Sequence, residues 1–389
     1  MNVLFIVNST RTIGGASKSF MSLLSGLGSC GVNRFVITPD TGDLYQEVRK
    51  MGVPAKALRY RMSVYPETKT LKDLLLFLPR LIARRMIERT AVRDIVAYCQ
   101  ENKIDLIHSN VGLLSCGVSA AKQLHIPHVL HVREYGDKDF GYRYYPNKRA
   151  FYQLANSSNS FVIPITKGIQ AYHHFEGGHC RQIYNGIDVT TDAGSSEFHG
   201  QKYFLYAGRI EPSKAPLQIV EAYSAFREQH PQSGILLKLA GPISDADYMT
   251  VIHDYIEHHG LAEYVAYIGI RKDISALMRD AVATIVSSVF EGFGRCLPEA
   301  MMNDCLTIGR NTGGTKEQYD NGVAFCGQEI GLRYDTTEEL AARMAEVGNA
   351  SEDNFKGMKA QAKEVVSRLY SKENYVKSVY DFYQDILQQ

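Results

Sequence analysis

The sequence predicts an α/β chain built from two doubly wound parallel sheets, and three observations carry that prediction. The 389 residues exceed what one ordinary core fills, and 45% of them are hydrophobic. Two or three domains are therefore expected, not disorder. Short apolar, often β-branched runs alternate with helical stretches, as strand–helix–strand crossovers require. The series occurs twice, and a polar, small-residue stretch from Thr190 to Gln201 separates the two halves as a linker would.

The first series places strands at 3–9, 34–40, 106–110, 128–134, 161–166 and 181–187, with helices such as 16–30 and 112–124 between them. The second places strands at 203–210, 236–242, 265–270, 283–288, 306–311 and 322–326. In the tail 353–389, Val365, Val366, Leu369, Tyr375, Val379 and Phe382 recur at helical spacing. The expected domains are 1–188 and 189–365, with a closing helix at 366–389 available to pack back on the first. Two such domains face each other across a cleft, and ligands in doubly wound sheets bind beyond the carboxyl ends of the strands.

Composition removes several function classes. Forty-three Lys and Arg balance forty-two Asp and Glu, so no global basicity points to nucleic acid. Seven cysteines without a C-x-x-C argue against zinc ribbons, thioredoxin motifs and a disulfide framework. The opening Met1–Asn8 has no basic n-region and reads as a buried strand, not a signal peptide. No run reaches the ~20 apolar residues of a membrane span. A cytoplasmic protein is the default expectation. His173-His174 and His258-His259 lack the spacing of a helical metal site and read as surface residues.

One segment is off balance. Lys56 to Arg93 holds ten Lys/Arg against three Asp/Glu, a local net of +7, around the apolar run Leu71–Ile82. Its helix either packs its apolar face on its own domain, as amphipathic helices usually do, or lies in a membrane interface. The expected outcome under test is peripheral association with an anionic membrane surface through 56–93.

The sharpest constellation is Glu291-Gly292-Phe293-Gly294-Arg295-Cys296-Leu297-Pro298-Glu299. It follows an apolar strand and opens a helix near Arg295. The Gly-Phe-Gly turn lets backbone N–H groups approach a ligand closely, and a helix start favours phosphate oxygens. Glu291 and Glu299 suit hydroxyl groups instead, as on a sugar and a ribose. The strand 203–210 ends in Gly208-Arg209-Ile210-Glu211-Pro212-Ser213-Lys214, where two cations can meet a diphosphate. Gly14-Gly15 follows the first strand but lacks G-x-G-x-x-G and the Walker spacing. That disfavours a nicotinamide dehydrogenase and a P-loop.

Together these residues resemble the retaining nucleotide-sugar glycosyltransferases of the GT-B fold, family 4 group, which have two facing Rossmann-like domains. Glu291-x7-Glu299 matches that group's E-x7-E motif, Gly208-Arg209 with Lys214 its donor-phosphate loop, and Gly14-Gly15 its N-terminal glycine loop. Asn185-Gly186-Ile187-Asp188 matches the interdomain segment, and Gly313-Gly314-Thr315 with Glu317 the loop beyond the next strand. Two positions depart: Asn303-Asp304-Cys305 stands where the family often has Gly-x-Pro, and Arg295 replaces the more usual aliphatic residue.

The resemblance implies roles. Glu291 would hold donor-sugar hydroxyls and Glu299 the ribose. Arg209 and Lys214 would neutralise the leaving diphosphate in place of a metal, so no cofactor is expected. Backbone N–H groups at Gly15, Phe293 and Gly294 would assist. His131 would lie near the sugar, or else be a buried structural histidine. Arg271 would lie near the base. The partners implied are a nucleotide-sugar donor and a glycan or lipid-linked acceptor. The implied activity is retaining glycosyl transfer in surface polysaccharide or glycoconjugate assembly, with a non-catalytic glycan- or transferase-binding subunit as the alternative.

Overall fold

The computed structural model describes residues 1–8, 14–66, 68, 70–188, 194 and 196–389. Two compact units divide the chain: Met1–Gly186 with Lys372–Gln389, and Ile187–Ser371.

In the first unit the strands are β1 (Asn2–Ile6), β2 (Asn33–Thr38), β3 (Ala55–Ala57), β4 (Leu106–Ser109), β5 (His128–Val132) and β6 (Ser160–Pro164). The helices between them are α1 (Gly15–Ser29), α2 (Asp43–Lys50), α3 (Leu71–Leu75), α4 (Phe77–Glu101), α5 (Ser115–Leu124), α6 (Asp137–Phe140), α7 (Lys148–Ala155) and α8 (Lys167–His173). The sheet is parallel throughout, in the order β3-β2-β1-β4-β5-β6. Helices cover both of its faces, which is why its central strands read as unbroken apolar runs. Phe5, Leu23 and Leu27 fill one face, and Leu4, Ile95 and Ala120 the other.

The second unit repeats the plan. Its strands are β7 (Tyr203–Ala207), β8 (Leu236–Ala240), β9 (Val265–Gly269), β10 (Ala283–Val286), β11 (Thr307–Arg310) and β12 (Leu332–Tyr334). A 3-10 turn at Pro212–Lys214 precedes α9 (Pro216–Gln229); then come α10 (Ala246–His258), α11 (Ile274–Asp280), α12 (Cys296–Met302), α13 (Gly313–Cys326), α14 (Thr337–Asn349) and α15 (Lys356–Leu369). The order β12-β11-β10-β7-β8-β9 is the first sheet's topology again. The chain then returns to the first unit as α16 (Lys372–Leu387), which buries Tyr375, Val379, Phe382 and Tyr383 in that unit's core.

Three sequence expectations differ from the structure. Residues 181–187 form no strand. Arg181 and Ile183 donate to Val162 and Pro164 along β6, but Pro164 has no N–H to return a bond, so the ladder stops. Residues 322–326 are the last turn of α13, which ends at Gly327 in the left-handed region; a short apolar run does not separate a strand from a helix end. The short edge strands β3 and β12 were not expected at all. The crossing points lie at 186/187 and 371/372, against the expected 188/189 and 365/366. The later return follows from Ala362, Val365 and Val366, which α15 buries before the chain leaves the second unit. Residues 190–193 and 195 of the expected linker, and residue 9 of the first expected strand, lie outside the described residues.

The basic segment is two helices, not one. Pro79 cannot donate to the carbonyl four residues back, so the helix breaks at Leu76 and restarts with Pro79 in its first turn. Thr70 and Asp73 form a capping box on α3.

Candidate active site

The topology brings the donor loops together. In the second unit the strand order reverses between β7 and β10, which pair in parallel with Phe204 opposite Ala283 and Tyr206 opposite Ile285. Arg209 and Lys214 follow β7, and Glu291 to Gly294 follow β10. Two stretches some eighty residues apart in sequence thus leave neighbouring strands on the same side, at the switch point where doubly wound sheets bind ligands.

Backbone ties lock the loops. Val289 N–H donates to the Ser213 carbonyl at 3.0 Å, and the Ser287 hydroxyl donates to the Lys214 carbonyl at 2.7 Å. Lys214 Nζ then lies 2.6 Å from Glu291 Oε1, and the Ser288 hydroxyl donates to the same oxygen. Both side chains are mostly buried, Lys214 at 21% and Glu291 at 14% exposure. Arg209 pairs with Glu211 at 2.8 Å, and Glu211 also accepts from Ser213 at 2.5 Å.

The Gly292–Gly294 turn wraps the Glu291 carboxylate. Gly294 has φ +77°, and a Cβ there would sit 2.7 Å from Glu291 Oε2. Gly313, at φ +52°, likewise leaves no room for a Cβ beside the Glu291 backbone. Gly314 N–H donates to the Glu291 carbonyl at 2.8 Å. These glycines are needed because backbone and carboxylate approach where any side chain would collide. Phe293 is buried and meets Tyr370 edge-to-face at 5.5 Å, so its ring belongs to the core. Gln318 holds the Phe293 carbonyl. Glu299 Oε1 accepts from both Arg295 Nε and Nη2 at 3.0 Å. The residue that departs from the family pattern thus orients the second carboxylate of the motif.

Arg271 follows β9. It pairs with Asp273 through two nitrogens at 2.9 and 2.7 Å and with Glu197 at 2.6 Å. The Asp273 hydrogen bonds, with Glu197 behind them, hold its guanidinium above the usual arginine range.

Gly14, Gly15 and His131 belong to the first unit. Gly14 caps α1 at φ 142°, with open space where a Cβ would stand; Ser9 to Ile13 of that loop lie outside the described residues. His131 is fully buried on β5. Its Nδ1 lies 3.1 Å from His108 Nε2 and 3.3 Å from Arg133 Nη2, while its buried Nε2 meets no partner among the described residues. Burial, then Arg133 and His108, pushes its pKa well below that of a free imidazole. Arg133 is itself buried and spends its donors on Asn110, Asn185 and Tyr375.

Sequence reasoning did not find Ser288, Gln318, His108, Arg133 or Glu134. None stands in a motif; only the topology reveals them. Burial, with Asp139 adding to it, pushes the Glu134 carboxyl up to about 8. His173 corrects the surface reading: it is buried, and burial lowers its pKa to about 4.

Known proteins bear on the same two halves. The glycosyl transferase 4-like domain matches residues 14–186, and glycosyl transferases group 1 matches 189–364. A D-inositol 3-phosphate glycosyltransferase of Paenarthrobacter aurescens is 27% identical over 122 residues, 31% of this chain and 30% of that protein. A glycogen synthase of Mycobacterium tuberculosis is 28% identical over 144 residues, 36% and 34% of the two chains. This chain therefore matches only about a third of the length of these curated relatives. Among solved structures, Anabaena HepE in complex with UDP and glucose superimposes with TM-score 0.78 at 20% identity, covering 99% of this chain and 100% of that one. A glycosyltransferase from Rickettsia africae gives TM-score 0.80 at 16% identity over 100% and 99%. The duplicated sheet topology and the two domain matches, one on each unit, agree: the chain belongs to the glycosyltransferases of the GT-B fold, family 4 type.

Proposed function

We propose that the protein transfers a sugar from a nucleotide diphosphate sugar to an acceptor hydroxyl, with retention at the anomeric carbon. The observation that carries this reading is the meeting of Lys214 and Glu291 at the β7/β10 switch point, inside a turn that only glycine permits. A cation and a carboxylate side by side suit a substrate whose diphosphate and sugar hydroxyls are adjacent. Lys214 and Arg209 stabilise the charge that grows on the departing diphosphate, without a metal ion. Glu291 holds the sugar hydroxyls, and Glu299, steadied by Arg295, the ribose.

In the transfer step the bond from the anomeric carbon to the diphosphate oxygen breaks. The bond to the acceptor oxygen forms on the same face, and the acceptor proton passes to the departing phosphate. Catalysis is then positioning and charge stabilisation. A glycan or lipid-linked acceptor in surface polysaccharide or glycoconjugate assembly, met on the cytoplasmic side, completes the reading. HepE was solved with UDP and with UDP-glucose, which makes UDP-glucose the first donor to try.

The test is a screen of UDP-, GDP- and ADP-sugars for released nucleotide, followed by NMR of the product's anomeric configuration. One sugar nucleotide consumed with retention is expected. Inversion, or no consumption of any donor, would overturn the reading.

A further inference from the structure

On the first unit, α3 and α4 leave Leu71, Leu74, Leu75, Leu78, Ile82 and Met86 exposed, Leu71 at 82% and Leu75 at 80%. At about 100° per residue, Leu78, Ile82 and Met86 fall on the same face of α4 as Arg85, Arg89 and Arg93. Ala91, Ile95 and Cys99 lie on another face and pack in the core. One solvent face of a single helix therefore changes from apolar to cationic along its axis, over roughly 22 Å from Leu78 to Arg93. The cationic half borders a groove of ≈ 500 Å³ between α4 and α5, lined by the three arginines with Glu88, Ser119 and Gln123. Glu88 already accepts from Ser115.

Two arginines that the sequence places in the same basic run take no part. Arg84 is buried, donates to the Val64 carbonyl and stacks 5.1 Å from the Tyr145 ring. Arg80 pairs with Asp73 at 2.8 Å and is 34% exposed, whereas Arg93, though 2.9 Å from its neighbour Asp94, stays 77% exposed.

We propose that this face docks on an anionic lipid bilayer. The apolar side chains of α3 and the first turns of α4 enter the acyl boundary, and Arg85, Arg89 and Arg93 meet lipid phosphates. Such a surface is apolar inside and negatively charged at its rim, which complements the two zones in order. A second copy of the chain fits worse: face to face, its arginines would oppose either arginines or leucines. Among the described residues no helix is long and apolar enough to cross a membrane, so the contact is one of lying on the surface. The proposal does not depend on the donor chemistry.

The chain contains no tryptophan, so Ile82→Trp supplies a single reporter. Its emission should shift to the blue with vesicles of phosphatidylcholine containing phosphatidylglycerol, and less with phosphatidylcholine alone. Val251→Trp, exposed on α10 of the second unit, should not respond. Changing Arg85, Arg89 and Arg93 together to Ser should weaken vesicle binding by about 10²-fold, at roughly fivefold per arginine. High salt should weaken the wild type similarly, and the far-ultraviolet circular dichroism should not change. An Ile82→Trp emission unmoved by anionic vesicles would overturn the proposal. So would a concentration-dependent dimer that Leu75→Ser, Leu78→Ser and Ile82→Ser abolish, with no vesicle binding; that result assigns the face to a second copy.

Discussion

Lys214 Nζ and Glu291 Oε1 lie 2.6 Å apart, so the cation proposed for the diphosphate and the carboxylate proposed for the sugar neutralise each other before any donor arrives. Ser288 supplies a further hydrogen bond to the same oxygen. Each side chain therefore has a preset direction, and each loses a partner if the other is removed. In thermal unfolding, the cycle of Lys214→Met, Glu291→Gln and the double variant should show non-additivity of roughly 0.5–3 kcal/mol. Additive effects would mean the pair is not coupled.

For the reaction itself, Lys214→Ala or Arg209→Ala should lower kcat by about 10²-fold or more, as loss of one preorganised charge-stabilising group does. EDTA should change little. Strong inhibition by EDTA, reversed by Mn²⁺, would contradict the metal-free role given to these cations.

Glu291→Gln should keep the fold, because the Gly314 N–H binds the residue's backbone carbonyl and not its side chain. Nucleotide affinity by calorimetry should be nearly unchanged, while transfer is lost as charge builds on the donor carbon. Near-normal kcat on the accepted donor would remove Glu291 from the mechanism.

Gly294→Ala tests the turn separately. The residue's φ of +77° costs an alanine about 1–2 kcal/mol. Its Cβ would also displace Glu291 Oε2, 2.7 Å away. The expected result is a modest drop in Tm with a disproportionate loss of kcat. Full activity in a stable Gly294→Ala variant would show that the carboxylate does not need this position.

The first unit should be most stable near neutral pH. Burial lowers the pKa of His128 to about 3 and of His173 to about 4. Burial also lowers those of His108 and His131, helped by Arg133. The unfolded chain binds protons to these groups near pH 6.5 and the folded chain does not. Their contribution is therefore complete above that pH and lost as pH falls toward 4, by up to about 1.4 kcal/mol per pH unit for each histidine. Glu134, raised to about 8, has the opposite sign: its contribution is full below the ordinary carboxylate pKa and lost as pH rises through 8. Tm measured from pH 4 to 9 should rise, peak between about 6.5 and 7, and decline gently. Glu134→Gln should flatten the alkaline limb, and a flat profile for the wild type would contradict the assignment.

Legibility in the sequence followed the range of the interactions involved. Ten of the twelve strands are local apolar runs, and they stand where their pattern places them. The run at 322–326 misled because an apolar pentapeptide is compatible with a helix end, and 181–187 because one proline at position 164 stops a neighbouring strand's ladder. Glu291, Glu299, Gly294, Arg209 and Lys214 were visible as motifs. Their partners were not: Ser288 and Glu211 stand in the same loops as Glu291 and Arg209 without a spacing that marks the contact, and Gln318 reaches the Phe293 carbonyl from α13, 25 residues along the chain.

What the sequence determined by itself was the class of fold, its duplication and the loops that carry charge, because hydrophobic period and glycine placement act within a few residues. Only the tertiary structure decided which charges meet. Strand order set Lys214 against Glu291 across β7 and β10. Burial turned His131 and His173 into interior groups. On α4, packing took Arg84 inside while leaving Leu78, Ile82 and Met86 facing solvent. A residue's exposure depends on what the rest of the chain places over it, and no local pattern contains that.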